Sequence, residues 1–146
     1  MRAIFATLVI SMLTGGCAIG VQHDYNLPDA QLNIDTKESV AVAVQDRRPY
    51  VVSGDKTQDF VGLSRGGFGN PFDVTTLSGK PLANDIASSI AAAFRARKIP
   101  VTQVTVAPVD DDAKVQAALG AAKTGRSVLV TLFEWKADTY MVTQLI

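Results

Sequence analysis

The heptapeptide Val40–Asp46, VAVAVQD, is the strongest constraint on the fold. Val40, Val42 and Val44 would line one face of a strand, and Ala41 and Ala43 the other. Both faces are apolar, so the strand must lie inside a sheet covered on at least part of both sides. Proline cannot extend a central strand, so Arg47-Arg48-Pro49 closes it. The chain has 146 residues, a length that suits one domain.

Around that strand the pattern predicts a small number of elements. Leu82, Ile86, Ile90 and Phe94 recur every four residues, which predicts a helix over Pro81–Arg97. Ser78 is placed to cap it, Pro81 suits its first turn, and Pro100 stops it. Val101–Val106 alternates as a strand. A second helix begins at Asp110–Asp112, buries Val115, Ala118, Leu119 and Ala122, and ends with Gly125 as its cap. Ser127–Ala137 reads as one long strand. Thr139–Ile146 reads as a last strand, or as the same strand past a bend at Asp138. Tyr50–Thr76 reads as irregular and glycine-rich, with short strands at Tyr50–Val52 and Phe60–Leu63. Right-handed crossovers place both helices against the main sheet. The expected fold class is α/β: a single domain with a mixed β-sheet and two helices packed on it.

The single cysteine sits apart from this domain, in LTGGCAIG at Leu13–Gly20. Arg2 and the amino terminus precede an 11-residue apolar run, Ala3–Leu13. That run is too short for a spanning helix, which needs about 20 residues, but it suits a signal peptide. Run, small residues and cysteine together resemble the lipobox of bacterial lipoproteins. The resemblance implies a signal peptide over 1–16 and a thioether from Cys17 to diacylglycerol, with acylation of the new amine. Thr14 stands where leucine is commonest. Ala18 follows the cysteine rather than an aspartate, which implies outer-membrane sorting. Residues 17–38 then form the lipidated cysteine and a flexible tether reaching roughly 25 Å, with a short edge strand at AQLNI. The globular domain spans 39–146. No free thiol remains for a disulfide, so the apolar core alone must hold the fold. The chain stops inside an apolar strand pattern, MVTQLI, as a C-terminally shortened domain would.

Charge and composition exclude several functions. Fourteen basic residues balance 14 acidic ones, unlike the basic excess of a nucleic-acid binder. His23 is the only histidine and Cys17 the only cysteine, so neither a zinc site nor a Ser-His-Asp triad assembles. SRGGFGN lacks the lysine of a phosphate loop. Asp110–Asp112 fits helix capping better than a metal. No catalytic residue and no cofactor beyond the lipid on Cys17 is expected.

Contact residues remain. The glycine-rich segment can present Arg65, Phe68, Asn70 and Phe72 to a partner. Arg48 could meet a ligand at the strand end or tie down the loop after it. Trp135 could anchor the core or join a contact patch.

The segments VAVQDRRPYVVSG, VGLSRGGFGNPFDVTT, SGKPLANDIA and LVTLFEWKADTY, with the lipobox, are similar to the YajG-like bacterial outer-membrane lipoproteins. That likeness implies an α/β domain behind a lipid anchor, without assigned catalysis, and further strands past the end of this chain. The expected role is a binding or accessory module on the periplasmic face of the outer membrane, held by membrane lipid through Cys17 and meeting an envelope protein partner. The alternatives are a small-molecule or glycan-binding domain and, less favoured, an enzyme.

Overall fold

Val40–Asp46 is the buried centre of the structure, every residue of it shielded from solvent. The computed structural model describes residues 20–26, 32–34, 36–66 and 68–140. Cys17, the expected signal peptide over 1–16 and the expected strand over 141–146 lie outside the described residues. In chain order the elements are β1 (Gln22–His23), β2 (Val40–Asp46), α1 (Pro49–Val52), β3 (Phe60–Arg65), β4 (Pro71–Thr76), α2 (Leu82–Ala96), β5 (Val101–Gln103), α3 (Asp112–Ala121), β6 (Arg126–Leu132) and β7 (Ala137–Tyr140). The protein is a single α/β domain with mixed strand pairing and two sizable helices.

The strands pair in two hydrogen-bonded groups. One is parallel, in the order β5-β2-β6; the other is mixed, in the order β1-β4-β3-β7. From β2 the chain crosses through α2 to β5, then returns through α3 across β2 to β6. The two crossovers run in opposite directions, and a common hand then requires their helices on opposite faces. Val40, Val42 and Val44 pack with Leu82, Ala83, Ala87 and Phe94 of α2, and with Val61 and Val74 of the hairpin. Ala41 and Ala43 meet Val115 and Leu119 of α3 on the other face.

Several elements differ from expectation, each for a local reason. Tyr50–Val52 is a turn of helix because Pro49 occupies its first position. Pro71–Thr76 is a strand: Pro71 sits at its start, where no ladder donor is needed. The β5 ladder ends at Gln103. β6 ends at Leu132, opposite Asp46, where its partner β2 also ends. The chain then crosses to the other strand group and resumes as β7. α2 is capped at Pro81 with no side-chain bond, and the Ser78 hydroxyl instead donates to Asp85 at 2.7 Å. Asp111 caps α3 by accepting from the Lys114 N–H at 2.8 Å. α3 ends at Ala122, before Gly125; the left-handed residue there is Lys123, at φ 51°.

Part of the expected 17–38 tether is instead docked on the domain. β1 lies parallel to β4, with the Leu77 N–H donating to the His23 carbonyl at 2.8 Å. Tyr25 and Leu32 pack on the main core, and the Ser89 hydroxyl donates to the Tyr25 carbonyl at 2.7 Å. Gly20–Asn26 is therefore docked on the domain. Of AQLNI, Ala30 and Gln31 lie outside the described residues and Leu32–Ile34 forms no strand.

A Cβ at Gly62 would run into the backbone of Ala137 on the neighbouring strand. Gly62→Ala should therefore lower stability by about 1–3 kcal/mol in chemical denaturation, and hydrogen exchange should quicken in β7 first. Unchanged stability would contradict the pairing of β3 with β7.

Candidate functional site

At the carboxyl end of β2 two charges are taken wholly out of water. Asp46 is 2% exposed and Arg48 0%. The guanidinium meets the carboxylate as a fork, Nε donating to Oδ1 at 2.8 Å and Nη2 to Oδ2 at 2.6 Å. Nη1 donates to the carbonyls of Phe60 (2.6 Å) and Trp135 (3.3 Å), and Nη2 also to that of Gln58 (3.2 Å). All five N–H groups of the guanidinium are thus used within the chain. Burial works against the charge, but the hydrogen bond and field of Asp46 outweigh it and raise the Arg48 pKa. Arg48 is therefore a tie between β2, β3 and the β6–β7 link, and is not open to an external ligand. Of the two uses the sequence allowed, the structural one is found.

Gln45, the preceding residue, is a second buried polar tie. Its Nε2 donates to the carbonyls of Ala107 and Asp110, at 3.2 and 2.8 Å. The Asp110 carboxylate accepts from the Ala107 N–H at 2.8 Å and pairs with Lys114. Hydrogen bonds from Lys114 and then from the Ala107 backbone hold its pKa below the ordinary value. Sequence reasoning passed over Gln45; a polar residue inside an otherwise two-faced apolar strand was the available signal.

These ties shape a crevice of about 490 Å³. It lies outside the carboxyl ends of β2 and β5, where the chain leaves the two strands toward opposite faces of the sheet. Asp46, the Thr105–Pro108 loop and Pro81–Asn84 at the start of α2 line it. In parallel α/β sheets this is the place where ligands bind.

The glycine-rich segment is the tip of the β3–β4 hairpin. The Gly66 N–H donates to the Asn70 carbonyl at 3.0 Å, and the Gly69 N–H to the Gly66 carbonyl at 2.8 Å. Gly69 adopts φ 80°, which favours glycine. Phe68 is 98% exposed at this tip, and the Phe72 ring lies against Gly66. Asn70 is exposed beside them. Arg65 is less free than the sequence suggests. It holds Asp138 of β7 through two bonds, 2.9 and 2.8 Å, and lies over the Tyr140 ring. The hydrogen bond from Arg65 lowers the Asp138 pKa.

Trp135 is far from that tip along the chain fold. It is exposed, edge-on to Tyr25 at 5.6 Å, with its carbonyl turned to Arg48. Arg65, Phe68, Asn70 and Phe72 thus share one end of the hairpin; Arg48 is internal, and Trp135 joins its network through the backbone carbonyl alone while its side chain stays exposed. Among the described residues, no group of three or more His, Cys, Asp or Glu side chains is placed to hold a metal, and no helix is long and apolar enough to cross a membrane.

Arg48→Met should cost about 3–5 kcal/mol, because it strands a buried carboxylate; Arg47→Met, at an exposed neighbour, should cost far less. Urea unfolding of the two variants checks this. The depressed Asp138 pKa sets a pH dependence of definite sign. Stability from this pair is present above about pH 4, the unfolded carboxylate value, and is lost as pH falls through the lower folded value. The melting-temperature gap between the native chain and Asp138→Asn should therefore be widest near neutrality and close in acid. No family model, no curated protein and no solved structure matches this chain.

Proposed function

We propose that the protein is a lipid-anchored, periplasm-facing module of the bacterial outer membrane that works by binding and not by catalysis. Cys17 carries the lipid, and the hairpin end around Phe68 is the contact surface. The observation that carries this reading is the almost complete exposure of Phe68 on a tip whose flanks are braced by the Arg65–Asp138 fork. An apolar ring held out at a hairpin tip has its use outside the domain. The buried charges support the same reading, since Asp46 and Arg48 are consumed by each other and by the backbone.

A second reading rests on the crevice at the carboxyl ends of β2 and β5, which suits a small molecule or glycan. Asn84 is exposed at its mouth. Peptidoglycan fragments that raise the melting temperature of the native chain, but not of Asn84→Trp, would favour this reading.

Mass spectrometry of the mature N-terminus, joined to membrane fractionation, tests the anchor. The expected result is a chain beginning at Cys17 with diacylglycerol and acyl groups, recovered with the outer membrane, and a Cys17→Ser variant that is not lipidated. A native chain with an unmodified Cys17 thiol would overturn the reading.

A further inference from the structure

We infer that the hairpin end of the β1-β4-β3-β7 sheet rests on the phospholipid bilayer itself, with Phe68 as the inserted side chain. The inference builds on the anchor at Cys17 proposed above and names what the contact surface meets.

The direction of β1 makes the argument. β1 runs parallel to β4, pairing Gln22 with Thr75 and His23 with Thr76. Gly20 lies against the Asp73 carbonyl, one step further toward the start of β4. The chain preceding Gly20 therefore enters the sheet from the end where β4 begins, which is the hairpin end. Cys17 is three residues before Gly20 and can be no more than about 11 Å from it. The hairpin reaches a similar distance in the same direction. Pro71 lies two residues before Asp73, about 7 Å along the strand, and the Phe68 tip projects beyond it. A lipid on Cys17 is thus within reach of the level of the Phe68 ring.

The chemistry of that end suits an interface. β3 pairs antiparallel with β4 and parallel with β7, so Arg65 stands opposite both Pro71 and Tyr140. Phe68, Phe72 and Tyr140 are all exposed there. Tyrosine favours the headgroup region of a membrane, and phenylalanine buries its apolar ring at the acyl boundary beneath it. From Ser64 to Phe72 the only charge is Arg65, and no acidic residue stands between Cys17 and Val21. The nearest carboxylates, Asp73 and Asp138, are paired with Lys56 and Arg65. Among the described residues of this end, no unpaired carboxylate is left to repel an anionic lipid surface.

The test uses the full chain, processed and lipidated in a bacterial host and reconstituted into phosphatidylethanolamine–phosphatidylglycerol vesicles. Lipidation consumes Cys17, the only native cysteine, so Phe68→Cys supplies a single free thiol for an environment-sensitive fluorophore. Leu77→Cys, exposed beyond the opposite end of β4, is the reference position. The expected result is a blue-shifted emission at residue 68, quenched several-fold by nitroxide-labelled lipid, with a water-like, weakly quenched probe at residue 77. Intact mass of the same sample reads the lipid on Cys17 independently. Lipidated protein with a water-like probe at 68 overturns the bilayer contact and leaves the anchor standing. An unmodified Cys17 overturns the anchor and this inference with it. A probe at 68 that is water-like on vesicles yet photo-crosslinks to a protein in whole envelopes assigns the tip to a protein partner and overturns the bilayer contact.

Discussion

The fork between Asp46 and Arg48 is the constraint on which the rest of this structure depends. Two opposite charges with essentially no solvent access are tolerable only when geometry is good and every remaining donor finds an acceptor. Here the backbone supplies the acceptors, at Gln58, Phe60 and Trp135. Those carbonyls come from the approach to β3, from β3 itself and from the link between β6 and β7. One side chain therefore joins the parallel strands to the mixed group. Moving any of these segments would leave a guanidinium N–H unpaired in a low-dielectric interior. Among the described residues no buried side-chain nitrogen or oxygen lacks a partner.

β2 organises the remaining layers by the size of its side chains. The valine face accepts α2 and the hairpin, building the larger core; the alanine face admits α3 as a thinner second layer. Because the crossovers depart toward opposite faces, a crevice opens at the carboxyl ends of β2 and β5. Gln45 and Asp110 then fix the loop that forms one wall of it. The same packing positions the N-terminal segment: β1 closes the outer side of β4, and Tyr25 and Leu32 cover the core beside α2. A docked segment transmits orientation as a flexible one cannot. This is why the placement of Gly20–Asn26 matters to a reading in which the protein is lipid-anchored.

Legibility followed whether an element's cause was local. β2 and α2 were readable because alternation and a four-residue repeat state which face is buried. The Asp111 cap of α3 was readable for a similar reason, since it acts within one turn. β4 was passed over because glycine and proline before it signal a loop, although Val74-Thr75-Thr76 has the β-branched character of a strand. The end of β6 could not be read from Phe133–Lys136, whose alternation continues; pairing stops there because β2 has none left to offer. Exposure of Phe68 was suggested by its glycine neighbours, whereas the partner of Arg65, 73 positions away, was not.

By itself, then, the sequence determined the fold class, the two-sided burial of β2 and the span of the principal helix, because backbone geometry imposes periods of 2 and 3.6 on any buried face. Tertiary structure alone decided that Arg48 turns inward, that Arg65 is held by Asp138, and that Gln22–His23 join the sheet. Those outcomes depend on which carbonyls and carboxylates distant stretches of chain bring within hydrogen-bonding range, and no local pattern encodes that meeting.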